Sequence, residues 1–289
     1  MAIWQLLAEG RPRLARGPAG DGPAELLDAG ASIDGVLGGD PGALEVLLGA
    51  PAVGPVPGGA QQLAPVGSQP VWAAGVTFLR SRDARLEESE GLDAYDKVYL
   101  AERPELFLKA LPGTARGPGQ PIGVRADSRW DVPEPELALV VDRRGRIAGY
   151  TIGDDVSSRS IEGENPLYLP QAKLYQGSCA LGPCLVPVGE APDPAEMVIA
   201  LSIERDGAEL FADRCSVADM KRSLPELVDW LWRGQDLPGG AVLLTGTSIV
   251  PPPDLTLRPG DQVTIAITGL GRLTNPVELI DTSGPAATG

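Results

Sequence analysis

Turn-forming residues cut this chain into short lengths: 37 glycines and 29 prolines are spread through 289 residues, and they fall between short apolar runs. Glycine opens backbone conformations closed to other residues, whereas proline fixes φ and removes a donor, so the pattern favours many short strands over long helices. Strand-like runs cover 71–78, 105–111, 136–142, 147–152, 197–204, 241–245 and 262–268. Arg144-Gly145 and Asp206-Gly207 signal hairpin turns. One helix is well marked: Ser223 with Glu226 forms a capping-box signature, and Leu224, Leu227, Val228 and Leu231 repeat at helical spacing up to Gly234. Short helices are expected at 24–28 and 43–48, a linker at 53–69, and a charged helical segment at 79–90 that is either a solvated face or a cover over a site. The expected organisation is a small N-terminal α/β domain with its linker over 1–69, a β-rich domain over 70–281, and a flexible tail over 282–289.

Charge and residue inventory then narrow the chemistry. Against 39 Asp and Glu stand 24 Lys and Arg, a net charge of −15, with no basic cluster, which argues against nucleic acid or an anionic membrane as partner. There is no histidine at all, so catalytic triads, Cys-His dyads and His-ligated zinc are excluded. Three cysteines, Cys179, Cys184 and Cys215, are too few for a disulfide framework and read as buried apolar fillers in a reducing compartment. No apolar run approaches membrane-spanning length, and Met1 to Leu7 lacks a charged leader, so a cytoplasmic protein handling small molecules is expected.

Carboxylates concentrate where chemistry is possible. Glu134 and Glu136 stand two residues apart at the mouth of the apolar run 137–141, and period two puts both on one strand face. Pro133 and Pro135 extend that backbone before any ligand arrives. Two like charges on one face repel unless a cation sits between them, and carboxylate oxygens suit Mg2+, Mn2+ or Ca2+. Asp155, in the polar turn Gly153-Asp154-Asp155-Val156-Ser157-Ser158-Arg159, would complete a three-carboxylate face. Taken alone, each piece favours the plainer reading, a surface strand edge and an Asx-type turn, since acidic pairs are common on surfaces.

Taken together and in order, these segments resemble the fumarylacetoacetate hydrolase family. The resemblance rests on Glu134-Pro135-Glu136-Leu137-Ala138, the turn from Gly153 to Arg159, Gln171-Ala172-Lys173, the run from Leu237 to Thr247, Leu257-Arg258-Pro259-Gly260-Asp261, and the stretch from Gly269 to Val277. It implies an α+β, mostly β fold, a β-roll or sandwich with a small N-terminal domain, assembled as a homodimer or higher homo-oligomer. It also implies Glu134, Glu136 and Asp155 as ligands of Mg2+, with Mn2+ or Ca2+ as alternatives, Lys173 and Arg159 as basic groups near the site, and Thr247 as a substrate contact. Ser157, Gly246 and Glu164 are further candidate substrate contacts, the last in a polar segment that equally suits an ordinary turn. Family members that cleave β-diketones carry a histidine after the first catalytic strand, where this chain reads Gly75-Val76-Thr77-Phe78-Leu79-Arg80-Ser81-Arg82-Asp83. Carbon–carbon hydrolysis would therefore need another general base.

The runs 80–85, 101–107 and 160–170 resemble the 2-keto-3-deoxy-pentonate dehydratase branch of that family. This implies a metal-dependent hydro-lyase taking 2-dehydro-3-deoxy-D-arabinonate to 2,5-dioxopentanoate through a metal-stabilised enolate. Lys173 is the candidate base and Glu105 the candidate acid, with Glu87 and Glu88 as weaker alternatives for the acid. Two other readings stay open: a hydrolase or decarboxylase of a 2-oxo acid such as an acylpyruvate or oxaloacetate, and a non-catalytic acid-binding homologue.

Overall fold

The computed structural model describes residues 1–40, 42–80 and 94–283. Most of the expected charged segment 79–90, including Glu87 and Glu88, lies outside the described residues, as do 284–289 of the expected tail. The N-terminal part contributes β1 Ala2–Ala8, β2 Arg11–Gly17, β3 Glu25–Leu26, α1 Ile33–Leu37, α2 Ala43–Gly49, β4 Gly54–Pro55 and β5 Gln61–Leu63. After it come β6 Val71–Gly75, α3 Ala94–Leu100, β7 Glu105–Ala110, β8 Ile122–Arg125, β9 Asp131–Val132, β10 Pro135–Val141, β11 Ile147–Asp155 and β12 Ser157–Ser158. Two short helices, α4 Arg159–Glu164 and α5 Leu169–Lys173, lead to β13 Cys179–Pro187, β14 Val198–Arg205 and β15 Ala208–Ser216. The chain closes with α6 Leu224–Trp232, β16 Ala241–Leu244, β17 Gln262–Ile267 and β18 Gly271–Ile280.

Sheet dominates, in a two-layer sandwich. One long sheet runs β4-β3-β2-β1-β13-β11-β10-β16-β6-β7, with β5 added on β1, and a five-stranded sheet runs β15-β14-β17-β18-β8. Leu137, Leu139 and Val141 of β10 and Ile152 of β11 meet Ile199, Leu201, Val263 and Ile265 of the facing sheet in one core. Alternation sends the intervening residues of β10 the other way, where Ala138 packs with Val71, Ala73 and Leu244, and Val140 packs under Ile33, Leu37 and Leu44 of α1 and α2. All seven residues of β10 are buried, which explains its nearly unbroken apolar sequence.

Both expected hairpins form, joining β10 to β11 and β14 to β15 in antiparallel pairs. The marked helix is α6: the Ser223 hydroxyl accepts from the Glu226 amide at 3.3 Å, and Leu227, Val228 and Leu231 are buried. The helix expected at 24–28 is instead the strand β3, because Glu25 and Leu26 pair with Arg16 and Ala15 of β2. Tertiary pairing overrides the weak helical preference of a five-residue stretch. The segment 53–69, expected as linker, carries β4 and β5. Residues 1–69 extend the long sheet through the pairing of Ile3 with Leu185.

Candidate metal and proton-transfer site

The site forms where β10 and β11 enter the long sheet on the face away from the sandwich core. Pairing sets Glu136 opposite Gly153 and Pro135 opposite Asp154, so Glu136 and Asp155 share one face. Two backbone links fix the entry of β10: the Glu134 amide donates to Asp154 Oδ1 at 3.0 Å, and the Asp155 amide donates to the Glu134 carbonyl at 3.0 Å. Glu134, Glu136 and Asp155 are all buried, and each offers a carboxylate oxygen within 4.8 Å of those of the other two. Glu136 Oε2 also accepts the Gly246 amide at 2.6 Å.

Cationic side chains answer this cluster. Lys173, at the end of α5, reaches Glu134 Oε2 at 2.6 Å, Asp155 Oδ2 at 3.0 Å and Ser157 Oγ at 2.5 Å. Arg159, at the start of α4, lies 3.0 Å from Glu134 Oε1. Lys109 of β7 ion-pairs with Asp155 Oδ1 at 2.5 Å. Burial, reinforced by the charges of Asp155 and Glu134, raises the Glu136 carboxyl well above the ordinary range, and burial pushes Asp154 up to about 8. Such mutual repulsion between oxygen ligands is relieved by a hard divalent cation, so this donor set fits Mg2+.

Around the carboxylates a small pocket is lined by Ala74, Gly75, Val76, Glu105, Phe107, Glu162, Leu169, Lys173, Gly246 and Thr247. Glu105 lies against Gly75, where an added Cβ would stand 2.0 Å from its Oε2, so only glycine admits the carboxylate there. Thr247 is buried, and its hydroxyl accepts from the Ile249 amide at 3.1 Å.

The structure therefore gathers Glu134, Glu136, Asp155, Lys173, Arg159, Glu105, Gly246 and Thr247. Two expected substrate contacts fall elsewhere. Glu164 is exposed, because the helical turn of α4 sends residues two apart to opposite sides, and Glu162 is the buried carboxylate at the pocket. Ser157 is fully buried, donating to the Asp155 carbonyl at 2.7 Å while accepting from Lys173, so it supports the lysine. Sequence reasoning passed over Lys109. Its signal was available: Glu105, Phe107 and Lys109 alternate along β7, and a lone lysine in an otherwise apolar strand end needs a buried partner.

Fold and site together define a β-sandwich protein whose buried carboxylate cluster suits a divalent cation, with a lysine at hydrogen-bonding distance. Residues 93–278 match the Fumarylacetoacetate (FAA) hydrolase C-terminal family, and the chain belongs to it. A Haloferax volcanii protein named a probable 2-keto-3-deoxyxylonate dehydratase is 52% identical over 216 residues, 75% of this chain and 74% of that one. The 2-dehydro-3-deoxy-D-arabinonate dehydratase of Saccharolobus solfataricus is 44% identical over 218 residues, 74% of this chain and 73% of that one. A solved structure described as 2-keto-3-deoxy-D-arabinonate dehydratase complexed with magnesium and 2,5-dioxopentanoate superposes with a TM-score of 0.84 at 34% identity, over 98% of this chain and 100% of that one.

Proposed function

We propose that this chain is a Mg2+-dependent dehydratase that removes water from 2-dehydro-3-deoxy-D-arabinonate, a 2-keto-3-deoxy-pentonate, to give 2,5-dioxopentanoate. The buried Glu134–Glu136–Asp155 cluster with Lys173 lying against two of its members carries the reading. The names of the relatives and the magnesium complex of the solved structure support the substrate and the cation.

Glu134, Glu136 and Asp155 would hold the cation, which would supply Lewis acidity to the 2-oxo group and compete with Lys173 for Glu134 and Asp155, favouring the neutral amine. Lys173 Nζ then takes a proton from C3, the carbon made acidic by the adjacent carbonyl. Glu105, beside Gly75, gives a proton to the C4 hydroxyl, which leaves as water; a proton then passes from C5 to C3, giving the C4=C5 enol, and the enol O–H proton passes to C4, completing the aldehyde. Arg159 holds Glu134 in place, and Thr247 and the Gly246 backbone border the substrate's space.

Mn2+ or Ca2+ on the same oxygens, assembly as a homodimer or higher homo-oligomer, and a cytoplasmic setting belong to the same proposal. Three free cysteines suit a reducing compartment, and no helix among the described residues is long and apolar enough to cross a membrane. The test incubates purified protein with Mg2+ and 2-keto-3-deoxy-D-pentonate, resolves products by NMR, and includes an EDTA control. Metal-dependent 2,5-dioxopentanoate is the expected product. Consumption of acylpyruvates or oxaloacetate instead would replace the dehydratase by the hydrolase or decarboxylase reading.

A further inference from the structure

Lys109 is the most completely enclosed charged side chain near the site, at 0% exposure. Its ammonium is surrounded by three oxygens from three different parts of the machinery: Asp155 Oδ1 at 2.5 Å, the Val156 carbonyl at 2.9 Å and the Lys173 carbonyl at 2.6 Å. Two of its three N–H donors go to backbone carbonyls, the Asp155 carboxylate adds an ion pair, and the side chain is absent from the pocket lining. Its effect must run through the groups it holds.

Each contact fixes something the proposed chemistry uses. Pairing Oδ1 of Asp155 with Lys109 leaves Oδ2 as the oxygen turned to Lys173, 3.0 Å away. The Lys173 carbonyl lies at the end of α5, where helical carbonyls lack intrahelical donors, so the Lys109 bond anchors the backbone from which the candidate base projects. The Val156 carbonyl lies between β11 and β12, on the path from Asp155 to Ser157, the hydroxyl that also touches Lys173. A single buried charge thus joins a candidate ligand, the segment after it and the candidate base.

We infer that Lys109 is a positioning residue: it orients Asp155 as a one-oxygen metal ligand and sets Lys173 in register with it. The inference rests on the metal-and-base reading of the site. Its test uses the full chain, stripped with EDTA and titrated with Mn2+ alone, followed by electron paramagnetic resonance of the free ion, for the parent, K109M and K109R. Steady-state kinetics on the 2-keto-3-deoxy-pentonate accompany each titration. Groups that orient metal ligands typically contribute about 10–100-fold in affinity or activity. K109M is therefore expected to bind Mn2+ about 10–100-fold more weakly and to lose kcat rather than raise KM, with K109R, which keeps the charge, falling between it and the parent.

If K109M fails to fold, K109R carries the test by the same two readouts. Unchanged Mn2+ affinity and unchanged kcat in a folded variant would overturn the inference while leaving the metal reading standing. Failure of both variants to fold would make Lys109 a folding residue and overturn it too. A parent that binds no Mn2+ overturns the metal reading, and this inference with it.

Discussion

Gly246 holds a position that no other residue fits, and replacing it with alanine tests the geometry behind Glu136. Its φ is +90°, and an added Cβ would stand 2.0 Å from Thr77 Oγ1 and 3.0 Å from the Ala74 carbonyl. Thr77 is fully buried, with Oγ1 donating to the Thr245 carbonyl at 2.7 Å, so it moves only by giving up that bond. Left-handed strain in a non-glycine residue costs about 1–3 kcal/mol. A buried carbonyl left unpaired costs about 1–3 kcal/mol more. G246A should therefore destabilise the fold by about 3 kcal/mol. T77A alone loses the same hydrogen bond, so the double variant should cost less than the sum of the singles by about 1–2 kcal/mol. Urea unfolding in EDTA, read from midpoints at constant slope, measures all three. Additive single costs, or a G246A protein as stable as the parent, would refute the steric account.

Two further outcomes follow from the site's charges. Because the folded protein raises the Glu136 carboxyl above its ordinary value of 4.5, its contribution to stability is full below about pH 4.5 and is lost as pH rises through the folded value. In metal-free buffer the melting temperature should thus fall with rising pH, and E136Q should flatten that slope and remove the stabilisation given by Mg2+; calorimetry with and without the ion would show it, and an unaltered slope would contradict the burial argument. K173Q should lower kcat by about 10²–10⁴-fold while binding Mn2+ at least as tightly as the parent, since the ammonium that competes for Glu134 and Asp155 is gone. Weaker Mn2+ binding by K173Q would mean that Lys173 organises the ligands instead.

Much of the site was legible in the sequence because its signals are local. Glu134 and Glu136 sit two apart on a strand whose apolar partners Leu137 and Leu139 announce the buried face, and prolines fix the approach. Asp155, nineteen positions beyond Glu136, comes from the neighbouring strand through a hairpin whose turn residues are visible. What escaped depends on phase or on distance. Glu162 and Glu164 are indistinguishable until the register of α4 is set, and Lys109 gains its meaning only from a strand and a helix end that approach it from 47 and 64 residues away. Among strands, β13 was missed because Gly182 and Pro183 interrupt its apolar run and read as a turn. The strand β3 is too short to show any period, and it exists only through its pairing with β2 and β4.

The pairing of Ile3 with Leu185 gives the N-terminal hairpin a protective duty. All nine residues of β13 are buried, and β1 occupies the side of it that β11 does not. Without the first two strands, the apolar stretch of β13 around Leu185 would lose its neighbour and present its backbone to solvent, the kind of border that recruits other chains into continuous sheet. The first seventeen residues thus act as a sealing strip for part of the strand that flanks β11 and its candidate ligand Asp155, and keep the interior of one molecule from becoming the template for the next.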